Sequence, residues 1–191
     1  MKAYLNGQII PAADCRLPIY DTGIVFGAAV TDLVRTFNGK LFRLEDHVRR
    51  LYASAKCARI KPPILEERTC AIAGDLADQN YRETGELSLV FYLTAGALAV
   101  YAGGPVELTP TFAMHTFPLP YHLWKNLFTT GVHCVTPTIR HLPPQVLSAQ
   151  IKHRNRLHLW IGDHEAKQAD PSAMPLYLDV HGHLTETNTT N

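Results

Sequence analysis

The fold is decided by two stretches, Gln150-Ile151-Lys152-His153-Arg154-Asn155-Arg156-Leu157 and, later in the chain, Leu184-Thr185-Glu186-Thr187-Asn188-Thr189-Thr190-Asn191. In the first stretch, Lys152 opens a helix that is predicted to run to about Lys167. In the second, Glu186 ends a predicted strand hairpin that follows this helix. A lysine at a helix start and a glutamate at a strand end are both common on protein surfaces, so their spacing alone assigns them no role.

The region before these stretches has the pattern of an antiparallel sheet and two helices. Hairpins are predicted around Asn6-Gly7 and Asn38-Gly39, because Asn-Gly is the dipeptide that best accepts a tight turn. A helix is predicted from Leu44 to the Pro62-Pro63 pair, since apolar residues recur in it at helical spacing and the prolines stop it. The remaining predicted elements are a helix over 65–81 and strands over 87–93 and 111–117.

A change of pattern indicates two domains. Pro118, Pro120 and the polar residues up to about Asn126 interrupt the predicted elements, which favours an interdomain linker over residues 119–127. We therefore predict an N-terminal α+β domain over residues 1–118 and a second domain over 128–191. The expected fold class is α/β, of the mixed α+β kind.

Composition limits the classes of partner. The chain has 191 residues, 46% of them hydrophobic, and no apolar run approaches the roughly 20 residues that cross a bilayer. The net charge is +1 with acids and bases interspersed, so neither nucleic acid nor a membrane is an expected partner. The start Met1-Lys2-Ala3-Tyr4 lacks the apolar core of a signal peptide, so we expect a cytoplasmic protein.

Three further motifs precede the two stretches along the chain. They are Tyr20-Asp21-Thr22-Gly23, then Phe26-Gly27-Ala28-Ala29-Val30-Thr31-Asp32-Leu33-Val34-Arg35, then His47-Val48-Arg49-Arg50-Leu51. Together the motifs resemble the class IV, or fold-type IV, pyridoxal-phosphate aminotransferases, which include branched-chain and D-amino-acid aminotransferases and aminodeoxychorismate lyase. The resemblance covers nearly the whole chain and implies a two-domain fold-type IV architecture, a homodimer and pyridoxal phosphate as cofactor.

The resemblance also implies a role for each matched residue. Lys152 would hold the cofactor covalently and move the substrate's α-proton, and burial beside His153 or Arg154 would favour the reactive form of its amine. Glu186 would hydrogen-bond the pyridine nitrogen and keep it protonated, so that the ring draws electrons. Arg50 would grip the phosphate with its planar fork of donors. The other expected phosphate neighbours are His47, Asn188, Thr189 and Thr190.

The implied reaction moves an amino group between an amino acid and a 2-oxo acid, but the substrate motifs depart from the family. Leu93-Thr94-Ala95-Gly96 stands where D-amino-acid aminotransferases carry an arginine, and Leu157 stands where branched-chain enzymes have tyrosine. The run Lys152-His153-Arg154-Asn155-Arg156-Leu157 is also similar to the lysine motif of aminodeoxychorismate lyase. A lyase that uses the same cofactor therefore stays open as an alternative.

The end of the chain raises a second alternative. In the family, a hydrophobic strand and another phosphate-binding turn follow the asparagine that Asn191 resembles. We therefore expect an incomplete second domain, which leaves a catalytically silent, truncated family member open. No metal site is predicted, because His181 and His183 alternate on one strand without a third ligand at a telling distance.

Overall fold

The computed structural model describes residues 1–105 and 109–190, and the chain forms two compact units. The first unit is Met1–Leu119 together with the returning segment Gln150–Asn155. The second unit is Pro120–Ala149 together with the chain from residue 156 on. Asn191, which resembles an asparagine of the family, lies outside the described residues.

The first unit is an α+β arrangement built on one sheet. Its elements in chain order are β1 (Lys2–Leu5), β2 (Gln8–Pro11), α1 (Thr22–Val25), β3 (Ala29–Phe37), β4 (Lys40–Leu41), α2 (Leu44–Cys57), α3 (Glu66–Thr84), β5 (Leu87–Thr94) and β6 (Phe112–Pro118). Within the described residues the sheet has six strands in the order β2-β1-β6-β5-β3-β4. Every neighbouring pair is antiparallel, as the predicted hairpins require.

The two Asn-Gly turns form as predicted. The backbone φ angles are positive at both central residues of each turn, 46° at Asn6 and 98° at Gly7, and 49° at Asn38 and 76° at Gly39. Such a turn matches the right-handed twist of the strands that flank it. The β1–β2 and β3–β4 hairpins are therefore confirmed.

A hydrophobic cluster holds the helices on the sheet. On α2, Val48, Leu51 and Ala55 recur at helical spacing and are fully buried. Burial of a leucine or phenylalanine side chain contributes about 1.5–3 kcal/mol, so this cluster fixes α2 against β3. Alternate residues of β5 belong to the same cluster, namely Leu87, Leu89, Phe91 and Leu93.

The segment that returns to the first unit is extended rather than helical. The N–H of Thr31 donates to the carbonyl of Lys152 at 2.9 Å, and the N–H of Arg154 donates to the carbonyl of Ala29 at 2.9 Å. The prediction that Lys152 opens a helix was therefore wrong. Pairing with β3 satisfies the backbone groups of this segment, and the helix begins only at Leu157.

The second unit has its own smaller sheet. Its elements are α4 (Tyr121–Trp124), α5 (Leu127–Thr130), β7 (Cys134–Val135), α6 (Leu157–Ala169), β8 (Met174–Leu178) and β9 (Leu184–Thr187). In the part of the chain that the structure describes, β8 lies between a parallel neighbour, β7, and an antiparallel neighbour, β9. The stretch predicted as a linker, residues 119–127, contains the short helix α4.

Helix α6 is held on β8 by one aromatic side chain. Tyr177 is fully buried, and its hydroxyl donates to the carbonyl of Leu159 at 2.5 Å. A Cβ atom at Gly162 would collide with the Tyr177 ring, so the helix approaches the strand this closely only because residue 162 is glycine. This contact places α6 directly beneath the strand that leads to β9.

Candidate functional site

A buried carboxylate organises the cationic residues of the first unit. Asp32 lies on β3 with a fully buried side chain, and Arg50 lies on α2. Nε of Arg50 donates to Oδ2 of Asp32 at 2.7 Å, and Nη2 donates to Oδ1 at 2.8 Å. A two-point contact of this kind fixes the plane of the guanidinium.

His47 shares the same carboxylate. Its Nδ1 lies 2.8 Å from Oδ1 of Asp32. Burial by itself would raise the pKa of Asp32, but hydrogen bonds from Arg50 and His47 outweigh burial and hold the pKa below the ordinary 3.8. The hydrogen bond to Asp32 also raises the pKa of Arg50. Both members of the ion pair are therefore charged at neutral pH.

Arg50 has N–H groups left with which it can bind an anion. The side chain is 52% exposed. Its Nη1 makes no hydrogen bond to any residue within 1–105 and 109–190, because the contacts to Asp32 and His47 use Nε and Nη2. A guanidinium that is held on one edge and open on the other suits a phosphate oxygen.

Lys152 lies beside the same helix. Its N–H donates to Oγ of Ser54 at 3.1 Å, and Ser54 is fully buried. Ser54 follows Arg50 by four positions on α2, so the two share one helix face. The first unit thus brings the backbone of Lys152 next to the face that carries Arg50. The side chain of Lys152 is exposed, so it lacks the burial that would favour the reactive form of its amine.

Glu186 has a different neighbour, within the second unit. It lies on β9, and its Oε1 is 3.0 Å from Nε2 of His141. The two side chains are 38% and 24% exposed, respectively. Both line a cavity of about 510 Å³ whose wall also includes Pro143, Pro144 and Thr185. Glu186 is therefore a partly enclosed carboxylate rather than a fully solvated one.

The predicted phosphate neighbours after Glu186 form a tight turn. The N–H groups of Thr189 and Thr190 donate to Oγ1 of Thr187 at 3.2 and 2.8 Å. The side-chain amide of Asn188 donates to Asp163 at 2.9 Å. In this structure the polar groups of the turn are directed at one another, and their role toward phosphate stays a prediction.

Two residues of this arrangement were not identified from the sequence. Asp32 belongs to one of the motifs, but the resemblance implies no role for it, although an acid among the apolar residues of a central strand is itself a signal for a buried ion pair. His141 lies in a loop and has no periodic pattern, so only the fold reveals its contact with Glu186.

Two negative findings concern the described part of the chain. No group of three or more histidine, cysteine or acidic side chains there is arranged to hold a metal ion. None of the helices in residues 1–105 and 109–190 combines the length and apolar character that crossing a membrane requires.

Comparison with known proteins places the chain in a family. The family model described as amino-transferase class IV matches residues 29–191. A putative branched-chain-amino-acid aminotransferase of Methanocaldococcus jannaschii is 28% identical over 187 residues, which are 97% of this chain and 62% of that protein. A D-alanine aminotransferase of Bacillus licheniformis is 31% identical over 193 residues, which are 100% of this chain and 64% of that protein.

Solved structures share the fold. A branched-chain amino acid aminotransferase of Escherichia coli matches with a TM-score of 0.86 at 18% identity, over 97% of this chain and 62% of that one. The T.th. branched-chain enzyme, complexed with N-(5'-phosphopyridoxyl)-L-glutamate, matches with a TM-score of 0.82 at 19% identity, over 97% and 61%. The fold is thus that of fold-type IV aminotransferases, and the chain spans somewhat over three fifths of these relatives' length. Because the family model covers most of the chain, the protein belongs to the class IV aminotransferases.

Proposed function

We propose that the protein transfers an amino group between an amino acid and a 2-oxo acid with pyridoxal phosphate as cofactor. The observation that carries this proposal is Arg50, fixed by buried Asp32 and open at Nη1, on the helix face beside the backbone of Lys152. A phosphate-binding cation next to a lysine is the combination that this cofactor requires. The T.th. enzyme of the same fold, which was solved in complex with a phosphopyridoxyl compound, supports the same cofactor.

The residues present fit the chemistry of the cofactor. When bound, pyridoxal phosphate supplies an aldehyde and a ring that accepts electrons. We assign Nη1 of Arg50 to one phosphate contact. His47 lies next to it, since both side chains contact Asp32. Lys152 would take the substrate's α-proton on its amine and return it later, acting as base and then as acid. Glu186 would hold a proton at the pyridine nitrogen.

The turn after Glu186 would contribute further donors. Asn188, Thr189 and Thr190 offer an amide, hydroxyls and backbone N–H groups close together. Several such groups in a short turn can surround one phosphate oxygen. Thr189 and Thr190 contact Thr187, so binding of a phosphate would exchange some of these contacts for contacts to the anion.

We further propose that the enzyme is a cytoplasmic homodimer that acts on small molecules, as the resemblance implies. Exposed aromatic side chains at the β3–β4 hairpin support an assembly, since Phe37 is 49% and Phe42 is 55% exposed. Their rings contact each other edge to face at 5.4 Å. Branched-chain amino acids and D-amino acids are the first amino donors to test, because the relatives are named for them.

A substrate panel tests the reaction. The purified protein is supplied with pyridoxal phosphate, 2-oxoglutarate or pyruvate, and a set of branched-chain L-amino acids and D-amino acids, and the new amino acid is measured. We expect transfer by the natural chain and none by Lys152→Ala, while Lys167→Ala, whose lysine pairs with Asp163, retains transfer. Aminodeoxychorismate is included because of the lyase-like run after Lys152. Pyruvate release from that compound without any amino transfer would contradict the proposal, and so would a protein that ignores the cofactor.

A further inference from the structure

The contact between His141 and Glu186 is built by several elements of the second unit. The backbone N–H of His141 donates to the carbonyl of Leu178 at the end of β8, at 2.9 Å. Leu178 is also the residue that pairs with Leu184 at the start of β9. The loop that carries His141 and the strand that carries Glu186 are therefore both attached to one residue of β8, which sets the distance between their side chains.

The imidazole of His141 is held in place on its other side. Its ring meets that of His158 edge to face, with centroids 5.2 Å apart and planes at 89°. His158 is buried and contacts the ring of fully buried Tyr177, with centroids 6.5 Å apart. A ring supported by packed neighbours loses little further freedom when it binds a carboxylate, so its hydrogen bond can fix that carboxylate in one orientation.

The carboxylate of Glu186 is used on one side only. Oε1 faces Nε2 of His141, whereas Oε2 accepts no hydrogen bond from any residue that the structure describes. The side chain lies at the wall of the 510 Å³ cavity, where a bound molecule can reach it. An N–H donor of a ligand that reaches Glu186 would therefore pair with Oε2, because Oε1 already contacts His141.

We propose that His141 is a positioning residue for the cofactor's ring nitrogen: its Nε2–H holds Oε1 of Glu186, so that Oε2 is presented to the pyridine N–H. The inference rests on the proposed function, because it takes Glu186 as the partner of the cofactor's ring nitrogen. His141 acts through Glu186 and makes no contact with the reacting atoms.

The test compares two ligands that differ in one ring atom. Pyridoxal phosphate is titrated against its analogue in which carbon replaces the ring nitrogen, and binding is measured by fluorescence quenching. His141→Leu removes the donor and keeps apolar bulk, so we expect roughly tenfold weaker binding of pyridoxal phosphate and no change for the analogue. His141→Gln places an amide N–H near the position of Nε2 and should restore most of the difference.

A second variant separates positioning from folding. Glu186→Gln should lose the same discrimination, and His141→Leu combined with Glu186→Gln should lose no more than Glu186→Gln alone, since both changes remove one interaction. His183→Leu, whose ring contacts Asp179 instead, is the matched control and should bind both ligands like the natural chain. Circular dichroism melting identifies any variant that fails to fold, and His141→Gln then carries the comparison.

The outcomes distinguish the two proposals. If His141→Leu weakens both ligands equally, or if His141→Gln and His141→Leu behave alike, the residue only supports the fold and the inference is overturned while the proposed function stands. If the natural chain binds neither ligand, the proposed function fails and the inference fails with it.

Discussion

At the scale of single residues, the first unit depends on one negative charge. Asp32 is fully buried and is held by Arg50 and His47, whereas Asp46 on the same helix as Arg50 makes exposed ion pairs. Exposed pairs contribute little because water screens them, but a buried carboxylate that loses its charge leaves its partners unsatisfied. The two acids therefore form a matched pair for substitution.

Asp32→Asn should lower the free energy of unfolding by about 1–3 kcal/mol, less than for a fully buried pair because water reaches half of Arg50. Asp46→Asn should change it little. Urea unfolding followed by circular dichroism measures both. Equal effects of the two substitutions would show that the Asp32 contact is not a main support of α2.

The stability of the first unit should also depend on pH through Asp32. Its folded-state pKa lies below the ordinary 3.8, so the stabilisation is fully present above that pH and is lost as pH falls below it. Natural protein should therefore lose stability more steeply than Asp32→Asn as pH falls below the ordinary carboxyl pKa of 3.8. Parallel curves for the two proteins would contradict this assignment.

Candidate site residues could be chosen from the sequence where they lie in a motif. Their tertiary partners could not. Lys152, Glu186 and Arg50 were chosen as candidate site residues because their neighbours along the chain match the family pattern, and their roles stay predictions. Asp32, which contacts Arg50, and His141, which contacts Glu186, come from other parts of the chain. Sequence spacing carries no information on such pairs, because the sheets bring them together.

At the scale of elements, local chemistry predicted the hairpins and helices whose signals lie within a few residues. The Asn38-Gly39 turn formed because its residues adopt positive φ at low cost. The start of α6 was predicted wrongly because contacts that are distant in sequence decide it. Lys152 lies in a stretch with acceptable helix formers, and backbone hydrogen bonds to Ala29 and Thr31 on β3, far away in sequence, make the stretch extended.

Two helical glycines test how closely α6 packs on β8. Gly162→Ala should destabilise the second unit by about 1–3 kcal/mol, because the new methyl group collides with the ring of Tyr177. Gly74→Ala on α3 meets nothing within 4 Å and should stabilise the first unit by about 0.5–1 kcal/mol. Hydrogen exchange measured by mass spectrometry reports each helix separately. A neutral or stabilising Gly162→Ala would show that α6 lies farther from the strand.

At the scale of the whole molecule, the order of motifs along the chain predicted the family, and the match over residues 29–191 confirms it. The likeness of fold to the E. coli enzyme extends over 97% of this chain at only 18% identity. Substrate choice could not be predicted, because the motifs that distinguish subfamilies are the ones in which this sequence departs. The sequence thus predicts the family and the fold, but not the substrates of the reaction.

The proposed homodimer makes a prediction about mass. Analytical ultracentrifugation should give twice the 21.3 kDa of one chain. Phe37→Glu combined with Phe42→Glu should shift the protein toward the monomer, because a charge in an apolar interface must be desolvated. Leu65→Glu, at another exposed position, is the control and should leave the mass unchanged. A natural chain that sediments as a monomer at all concentrations would exclude the assembly.

The most direct test of the central claim is the site of covalent attachment of the cofactor. The protein is incubated with pyridoxal phosphate, reduced with borohydride, digested and sequenced by mass spectrometry. We expect one reduced pyridoxyl phosphate group per chain, on Lys152, and none in Lys152→Ala. A label that is absent, or that is spread over other lysines such as Lys125 and Lys167 to the same extent as over Lys152, would contradict the account.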